Sequence, residues 1–335
     1  MRRIHNAIFM VSGNSHWLLT SLLLVTIGCA DMVAEHEQTA AFKSDPPLGK
    51  ADSVLQQAPR PEFDTERCAY DVEDPHEPRA RFQKGPWQGE CLDTKNQRPV
   101  VVLDTPYQGS DILKLGNVSH DDGFWIAEIP TDAVQNVYFQ LEYFPAVVPA
   151  GHTQLRIEFS EPVVMVGQCQ WNRGQITELY NLVMSAEAVT RVGDQYDLFT
   201  GMQDHFGLAL RVTSLEDRYQ SMVVEKNHHV EQWRLQLTDL EKSEMMVFYA
   251  YESEALGLDL TYHTLFRNCT TELIRSIDGV VTYTVGENIK RFLTKVTEIY
   301  PNIVRAGLIA RGLLPLDQST DWYPLEDDPS YPASH

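Results

Sequence analysis

The stretch LFRNCTTELIRSID, from Leu265 to Asp278, sets one cysteine between an asparagine and two threonines. Asn268 is a good helix N-cap, and Leu273, Ile274 and Ile277 recur at the spacing of a buried helix face. The pattern therefore predicts a helix that starts at Cys269 and is stopped by Asp278-Gly279. A thiol in the first turn of a helix sits among N–H groups that have no intrahelical partner and at the positive end of the helix dipole, which favours the thiolate. The same N–H groups suit the oxyanion that forms when sulfur attacks a carbonyl. These are the needs of a thiol nucleophile. A cysteine that only packs, or one bridged to Cys169, fits the same local sequence.

A nucleophilic thiol also needs an imidazole, and eleven histidines compete for that role. His228 and His229 in KNHHVEQW lack the i, i+4 spacing of a helical zinc motif, and His263 precedes the cysteine on its own strand. His205 in QDHFGLALRV and His120 in SHDDGFW read as surface groups in loops. His152 is different. In AGHTQLRIEF, Leu155, Ile157 and Phe159 point one way, while His152, Gln154, Arg156 and Glu158 point the other, so His152 opens the polar face of a strand. Gly151 before it leaves room for a close neighbour. A histidine satisfied at a strand end is the plain alternative.

The elements that must position these groups are legible as runs. PVVVLD near Val101, NVYFQLEYF from Asn136, HTQLRIEF from His152, PVVMVGQ from Pro162, LALRVTS from Leu208 and WRLQL from Trp233 predict a mostly antiparallel sheet. Helices dominate the C-terminal part. Thr238 and Glu241 form a capping box that opens LTDLEKSEMMVFYAYESEALG, with Gly257 as its stop, and a short strand LTYHTLF follows. Ile289, Phe292, Leu293 and Val296 mark another helix, and a last one runs from about Pro301 to Arg311. The tail from Pro315 holds four prolines and five acids and is expected to be extended. There is no internal repeat and no second hydrophobic span.

At 335 residues the chain can bury a real core without disulfides. A formal charge of −20 and a pI near 4.9 argue against nucleic acid or an anionic lipid surface as the main partner. Arg2, Arg3 and the apolar run from Trp17 to Gly28 read as an export signal over residues 1–28. It ends Thr26-Ile27-Gly28-Cys29, which resembles a lipobox with Thr26 in place of the usual Leu or Val, so Cys29 is the expected lipidation site, with ordinary cleavage nearby as the alternative, and the periplasmic side of a bacterial envelope is the expected location. Loss of those residues, which hold two basic and no acidic groups, would take the charge to −22. Residues 29–66 are polar and aperiodic, as a disordered tether would be. Residues 67–100 form a small segment in which Cys68 and Cys91 are the obvious disulfide pair. The main domain is expected over 101–312 and an acidic, Pro-rich tail over 313–335. No Cys/His cluster has metal-ligand spacing, and no cofactor is expected.

AGHTQLRIEFSEPVVMVGQ, WRLQLTDLE and YHTLFRNCTTELIRSID together resemble the Lnb N-terminal periplasmic domain family, over roughly Val100 to Asp278. The resemblance implies an α+β fold of the circularly permuted papain-like type, an antiparallel sheet packed on helices with the nucleophile at a helix N-terminus. It matches His152 to the family's histidine and Cys269 to its cysteine, 117 residues apart and in the order opposite to papain. Asn268 and Tyr262 match the same block, with capping and packing as their ordinary roles. For the third, orienting group, a hairpin turning at Ser160-Glu161 would bring position 152 near 168 to 170, which nominates Gln168 or Gln170. The function implied is acyl transfer, or amide or ester hydrolysis, through a thioester on Cys269. Its substrate would be an acylated lipoprotein, a lipid or a cell-wall peptide. The alternative is a non-catalytic envelope lipoprotein that uses the scaffold for binding. Members that acylate lipoproteins carry a membrane-spanning portion after this domain, whereas nothing after Asp278 here is apolar for long enough to span.

Overall fold

The computed structural model describes residues 62–104, 111–144, 151–316 and 322–328. The export signal, Cys29 and the tether as far as residue 61 lie outside the described residues. Ten strands form one sheet: β1 Val101–Asp104, β2 Ile112–His120, β3 Gly123–Pro130, β4 Val134–Tyr143, β5 Gly151–Gly167, β6 Ile176–Val189, β7 Phe206–Ser214, β8 His229–Arg234, β9 Thr261–Tyr262 and β10 Trp322–Pro324. The order is β1-β2-β7-β6-β5-β4-β8-β10, with β3 bridging β2 and β5 and β9 on β7. All the pairings are antiparallel except β2 with β7, which meet at Ser119 and Thr213. Because β3 joins β2 to β5, strands β2, β3, β5, β6 and β7 close into a barrel-like ring, and closure leaves those strands no free edge.

β5 organises the sheet. Its first half, to Phe159, pairs with β4, and Val164 to Gly167 pair with β3, while β6 pairs along its other side from Leu155 to Glu158 and from Val163 to Val166. The hairpin expected at Ser160-Glu161 is not formed: HTQLRIEF and PVVMVGQ are one strand of 17 residues. Pro162 falls where the β5–β6 register slips between Glu158 and Val163, so the missing N–H and fixed φ of proline are absorbed by a bulge, not a turn.

Two helices cover one face. α1, Leu198–Gly201, and α2, Leu215–Tyr219, are short connectors, α3 spans Asp239–Leu256 and α4 spans Cys269–Val280. The Thr238–Glu241 capping box starts α3, and Gly257, at φ 51°, ends it. Met245, Met246, Tyr249 and Ala250 of α3 and Leu273, Ile274 and Ile277 of α4 pack with Leu155, Ile157, Phe159 and Met184 in one core. Each such side chain contributes about 1.5–3 kcal/mol when fully buried. α4 runs one residue past Gly279 instead of stopping there. That glycine is required by packing, since a Cβ would lie 2.4 Å from the Phe248 ring. α5, Val285–Leu293, and α6, Val304–Ala310, follow.

The opposite face of β5 is polar yet buried. Arg156 is fully buried; its Nε donates to Asn181 Oδ1 at 2.8 Å, and Nη1 donates to Gln232 Oε1 at 3.2 Å and to Asp328. Asp328 belongs to the expected extended tail. The described part of that tail instead adds β10 to β8 and packs Leu325 against Val183, Leu215, Met222 and Val230. At the other terminus Cys68 and Cys91 form a disulfide with a Cα separation of 5.3 Å. The segment that it closes is anchored by buried Arg98, 2.8 Å from Asp74 and 3.0 Å from Glu77.

Candidate active site

β5 begins where β4 leaves no room: a Cβ at Gly151 would lie 2.6 Å from the Glu142 carbonyl oxygen, so only glycine lets the strand approach. His152 follows, opposite Glu142 in the β4 register. In the β5–β6 register Leu155 faces Met184 and Arg156 faces Val183, and three further steps bring 152 opposite 187. Glu187 there turns its Oε1 to His152 Nε2 at 3.3 Å, off the line of an ideal hydrogen bond. The same oxygen accepts from Ser185 Oγ at 2.9 Å and lies 3.6 Å from Arg218 Nη1. Arg218 is itself held by Gln154 Oε1 at 2.8 Å.

Thr153 points to the other face, with its Oγ1 3.1 Å from Thr270 Oγ1, and so docks the start of α4 on β5. Asn268 caps α4 as its sequence predicts: Oδ1 accepts from Thr271 N–H at 3.0 Å, and Nδ2 donates to Thr264 O at 2.6 Å and Ile299 O at 3.2 Å. Cys269, the first residue of α4, is buried and free. Its sulfur lies 3.9 Å from Thr270 Oγ1, and the His152 imidazole and the N–H and hydroxyl of Thr153 are near enough to set its acidity. Tyr262 is a close neighbour that acts on Cys269, and it stacks edge-on with Tyr196, whose OH is 2.9 Å from Thr264 Oγ1.

The charges follow from these contacts. Burial pushes the Cys269 thiol up, but the His152 charge and hydrogen bond, with the donors of Thr153, outweigh it and bring the thiol down to about 7. For His152 burial acts downward, and Glu187 and the sulfur outweigh it, raising the imidazole to about 10. Glu187 is also opposed by burial, yet His152, Arg218 and Arg211 hold its carboxyl well below the ordinary range. Between the thiol and imidazole values the favoured state is a thiolate–imidazolium pair backed by a carboxylate.

The two residues singled out from sequence, His152 and Cys269, are thus brought together. Gln168 and Gln170 are not. They lie past the far end of β5, where Gln168 Nε2 donates to Asp74 Oδ2 at 2.9 Å and its Oε1 accepts from Asn117 N–H at 2.8 Å, while Gln170 N–H donates to Asp71 Oδ2 at 2.9 Å. Since β5 does not fold back at Ser160-Glu161, the residues at its far end stay away from 152, and the neighbouring strand β6 supplies Glu187 instead. An acid in NLVMSAEAV, on the face shared with Val183 and Ser185, is the signal in the sequence that points to it. Cys169 is at that far end too, fully buried with its thiol pushed up by burial to about 12, and it is not bridged to Cys269. His228 sits one contact behind the site, with Nδ1 2.7 Å from Glu142 Oε1. His120 lies by Ser214 Oγ at 2.9 Å.

A helix-capped thiol, an imidazole and a carboxylate from neighbouring elements stand together on an α+β scaffold, the groups that thiol chemistry would need. The Lnb N-terminal periplasmic domain matches residues 122–296, and the chain belongs to this family. The match contains β5, β6 and the start of α4, and with them all three groups. The family's description is that of a periplasmic domain. No curated protein and no solved structure matches the chain. Among the described residues no helix is long and apolar enough to cross a membrane.

Proposed function

We propose that the protein is a periplasmic acyl-transferring or hydrolysing thiol enzyme with a permuted papain-like active site. The observation that carries this reading is the His152 imidazole set between the Glu187 carboxylate and the Cys269 sulfur at the N-terminus of α4. The Cys269 thiolate attacks the carbonyl carbon of an ester or amide and forms a C–S bond, and the carbonyl electrons pass to oxygen. The Cys269 N–H at the start of α4 and the neighbouring Tyr262 hydroxyl are the donors assigned to that developing charge. Collapse of the intermediate breaks the bond to the leaving alcohol or amine, which takes its proton from His152. His152 then accepts a proton from the incoming water or amine as it attacks the thioester. Glu187 is a positioning residue: it holds the ring and sustains the imidazolium. An amine acceptor gives transfer and water gives hydrolysis, with an acylated lipoprotein, lipid or cell-wall peptide as substrate.

The test is to expose the full chain to envelope extract, quench in acid and search the Cys269 peptide by mass spectrometry for an acyl adduct. An adduct is expected in the wild type. None is expected in His152→Ala, and in Glu187→Gln its formation should slow by on the order of 10²-fold. Absence of any adduct in the wild type, with Cys269 no more reactive than an ordinary thiol, would instead favour a binding scaffold without turnover.

A further inference from the structure

The polar face of β5 is connected to the C-terminal tail. Gln154 stands opposite Gln140 of β4, and Gln140 opposite Gln232 of β8, so three neighbouring strands set three glutamines in one row. All three are fully buried, where an amide without partners is costly. They find partners in each other. Gln154 Nε2 donates to Gln140 Oε1 at 2.7 Å, Gln140 Nε2 to Gln232 Oε1 at 3.0 Å, and Gln232 Nε2 to Asp328 Oδ2 at 3.4 Å. At the other end Arg218 Nε donates to Gln154 Oε1 at 2.8 Å. A guanidinium can only donate and a carboxylate can only accept, so the two ends impose one orientation on every amide between them. Arg156, which donates to both Gln232 and Asp328, locks the tail end.

The row ends beside the candidate site. Glu142 and Glu187 flank His152 from β4 and β6, and the Arg218 guanidinium spans the two acids, with Nη1 3.6 Å from Glu187 Oε1 and Nη2 3.9 Å from Glu142 Oε2. At those distances neither carboxylate fixes it, and α2, which carries it, has only five residues. Its 2.8 Å bond to Gln154 is therefore what sets its place. The other charged groups here have their own posts: His228 Nδ1 lies 2.7 Å from Glu142 Oε1, and Arg211 of β7 acts on Glu187 from the far side. On the thiol reading of the site, we propose that Arg218 is a positioning residue that holds Glu187 against His152, and that the tail takes part in the site by fixing Arg218 through Asp328, Gln232, Gln140 and Gln154. The third group of the site then depends on a residue of the C-terminal tail.

The readout is the pH midpoint of Cys269 alkylation by iodoacetamide in the folded full-length chain. It needs no substrate, so it can fail while the acyl-adduct test succeeds, and the reverse. Removing a cation raises the pKa of the groups around it, so Arg218→Met should raise the midpoint by about one pH unit, and Arg218→Lys should keep most of the wild-type value. Gln140→Met cuts the row and changes no charge. It should raise the midpoint by about half a unit in the wild type and add nothing in the Arg218→Met background. Asp328→Asn separates the row from plain electrostatics, because loss of an anion alone would lower the midpoint, whereas release of Arg218 raises it. Tyr143→Phe removes a bond to Glu231 between the same strands, β4 and β8, but outside the row, and should leave the midpoint unchanged. A wild-type midpoint in Gln140→Met together with a lowered one in Asp328→Asn would overturn the inference, even if both variants lose stability in urea. A shift in Tyr143→Phe equal to that in Gln140→Met would overturn it too, since any loosening of the sheet would then suffice.

Discussion

Removing the His152 imidazole should reverse the acidity of Cys269. An ordinary thiol titrates at 9.0, and Cys269 at about 7, so the surroundings of the buried sulfur favour its anion by about 3 kcal/mol. At pH 7 about half of Cys269 is thiolate against about 1% of an ordinary cysteine, a gain of roughly fiftyfold. The less basic thiolate is also a weaker nucleophile, by roughly tenfold over two units, which leaves an advantage of about fivefold at neutral pH and a deficit in base. Absolute rate is therefore a poor readout, and the midpoint is a good one. Folded full-length protein would be alkylated with iodoacetamide across a pH series and the Cys269 peptide quantified by mass spectrometry. The wild-type rate should rise with a midpoint near 7. In His152→Ala burial is left without its main counterweight, and the midpoint should move above the ordinary thiol value. In Glu187→Gln the imidazolium loses its carboxylate, and the midpoint should lie between the two. A wild-type midpoint at or above 9, or a His152→Ala profile that matches the wild type, would refute the ion-pair reasoning.

Other consequences can be read by stability. Gly151→Ala forces a Cβ to within 2.6 Å of the Glu142 oxygen and should cost about 1–3 kcal/mol, seen as a lower urea midpoint, with the alkylation midpoint displaced because His152 moves with the strand. Arg156→Leu strands the buried Asp328 carboxylate and should cost about 3–5 kcal/mol, whereas Arg156→Leu with Asp328→Asn should recover part of it; equal losses would show that the tail contributes no ionic contact. The linkage signs also differ within the triad. Glu187, held low, contributes stability that is lost as pH falls below the ordinary carboxylate range. Cys269 loses its share as pH falls through about 7, and His152 loses its share as pH rises through about 10. Since the folded pair keeps one proton where the unfolded pair also keeps one, the wild-type minus His152→Ala/Cys269→Ala stability difference should be flat between about pH 7 and 9 and fall above it. A steep slope across that window would contradict the pairing.

Local chemistry brings both candidates into view, a capped helix start for Cys269 and strand alternation after a glycine for His152, and the family resemblance pairs them. The third group depends on long-range register, which local signals misrepresent. Ser160, Glu161 and Pro162 carry turn chemistry, but here they make a bulge in the middle of β5, and that one continuation moves the partner of His152 from the far end of the strand to β6. The reverse holds at Asp121 and Asp122, both at positive φ, where SHDDGFW suggests a loop around His120 but the chain makes a two-residue hairpin turn between β2 and β3. Ring closure is beyond local reading altogether, since it rests on the single parallel contact of Ser119 with Thr213.

The length of β5 bears on how the molecule folds. One uninterrupted strand is backbone partner to β4 over its first half and to β3 over its second, with β6 joined to both. Neither half of the sheet can then be completed, or lost, without the other: the chain has no cleavage point within 151–167 that would leave two self-sufficient fragments. The end that holds His152 and the disulfide-closed end are expected to unfold as one cooperative unit, so that damage near Asp74 or Asn117 reaches His152 as loss of the whole fold.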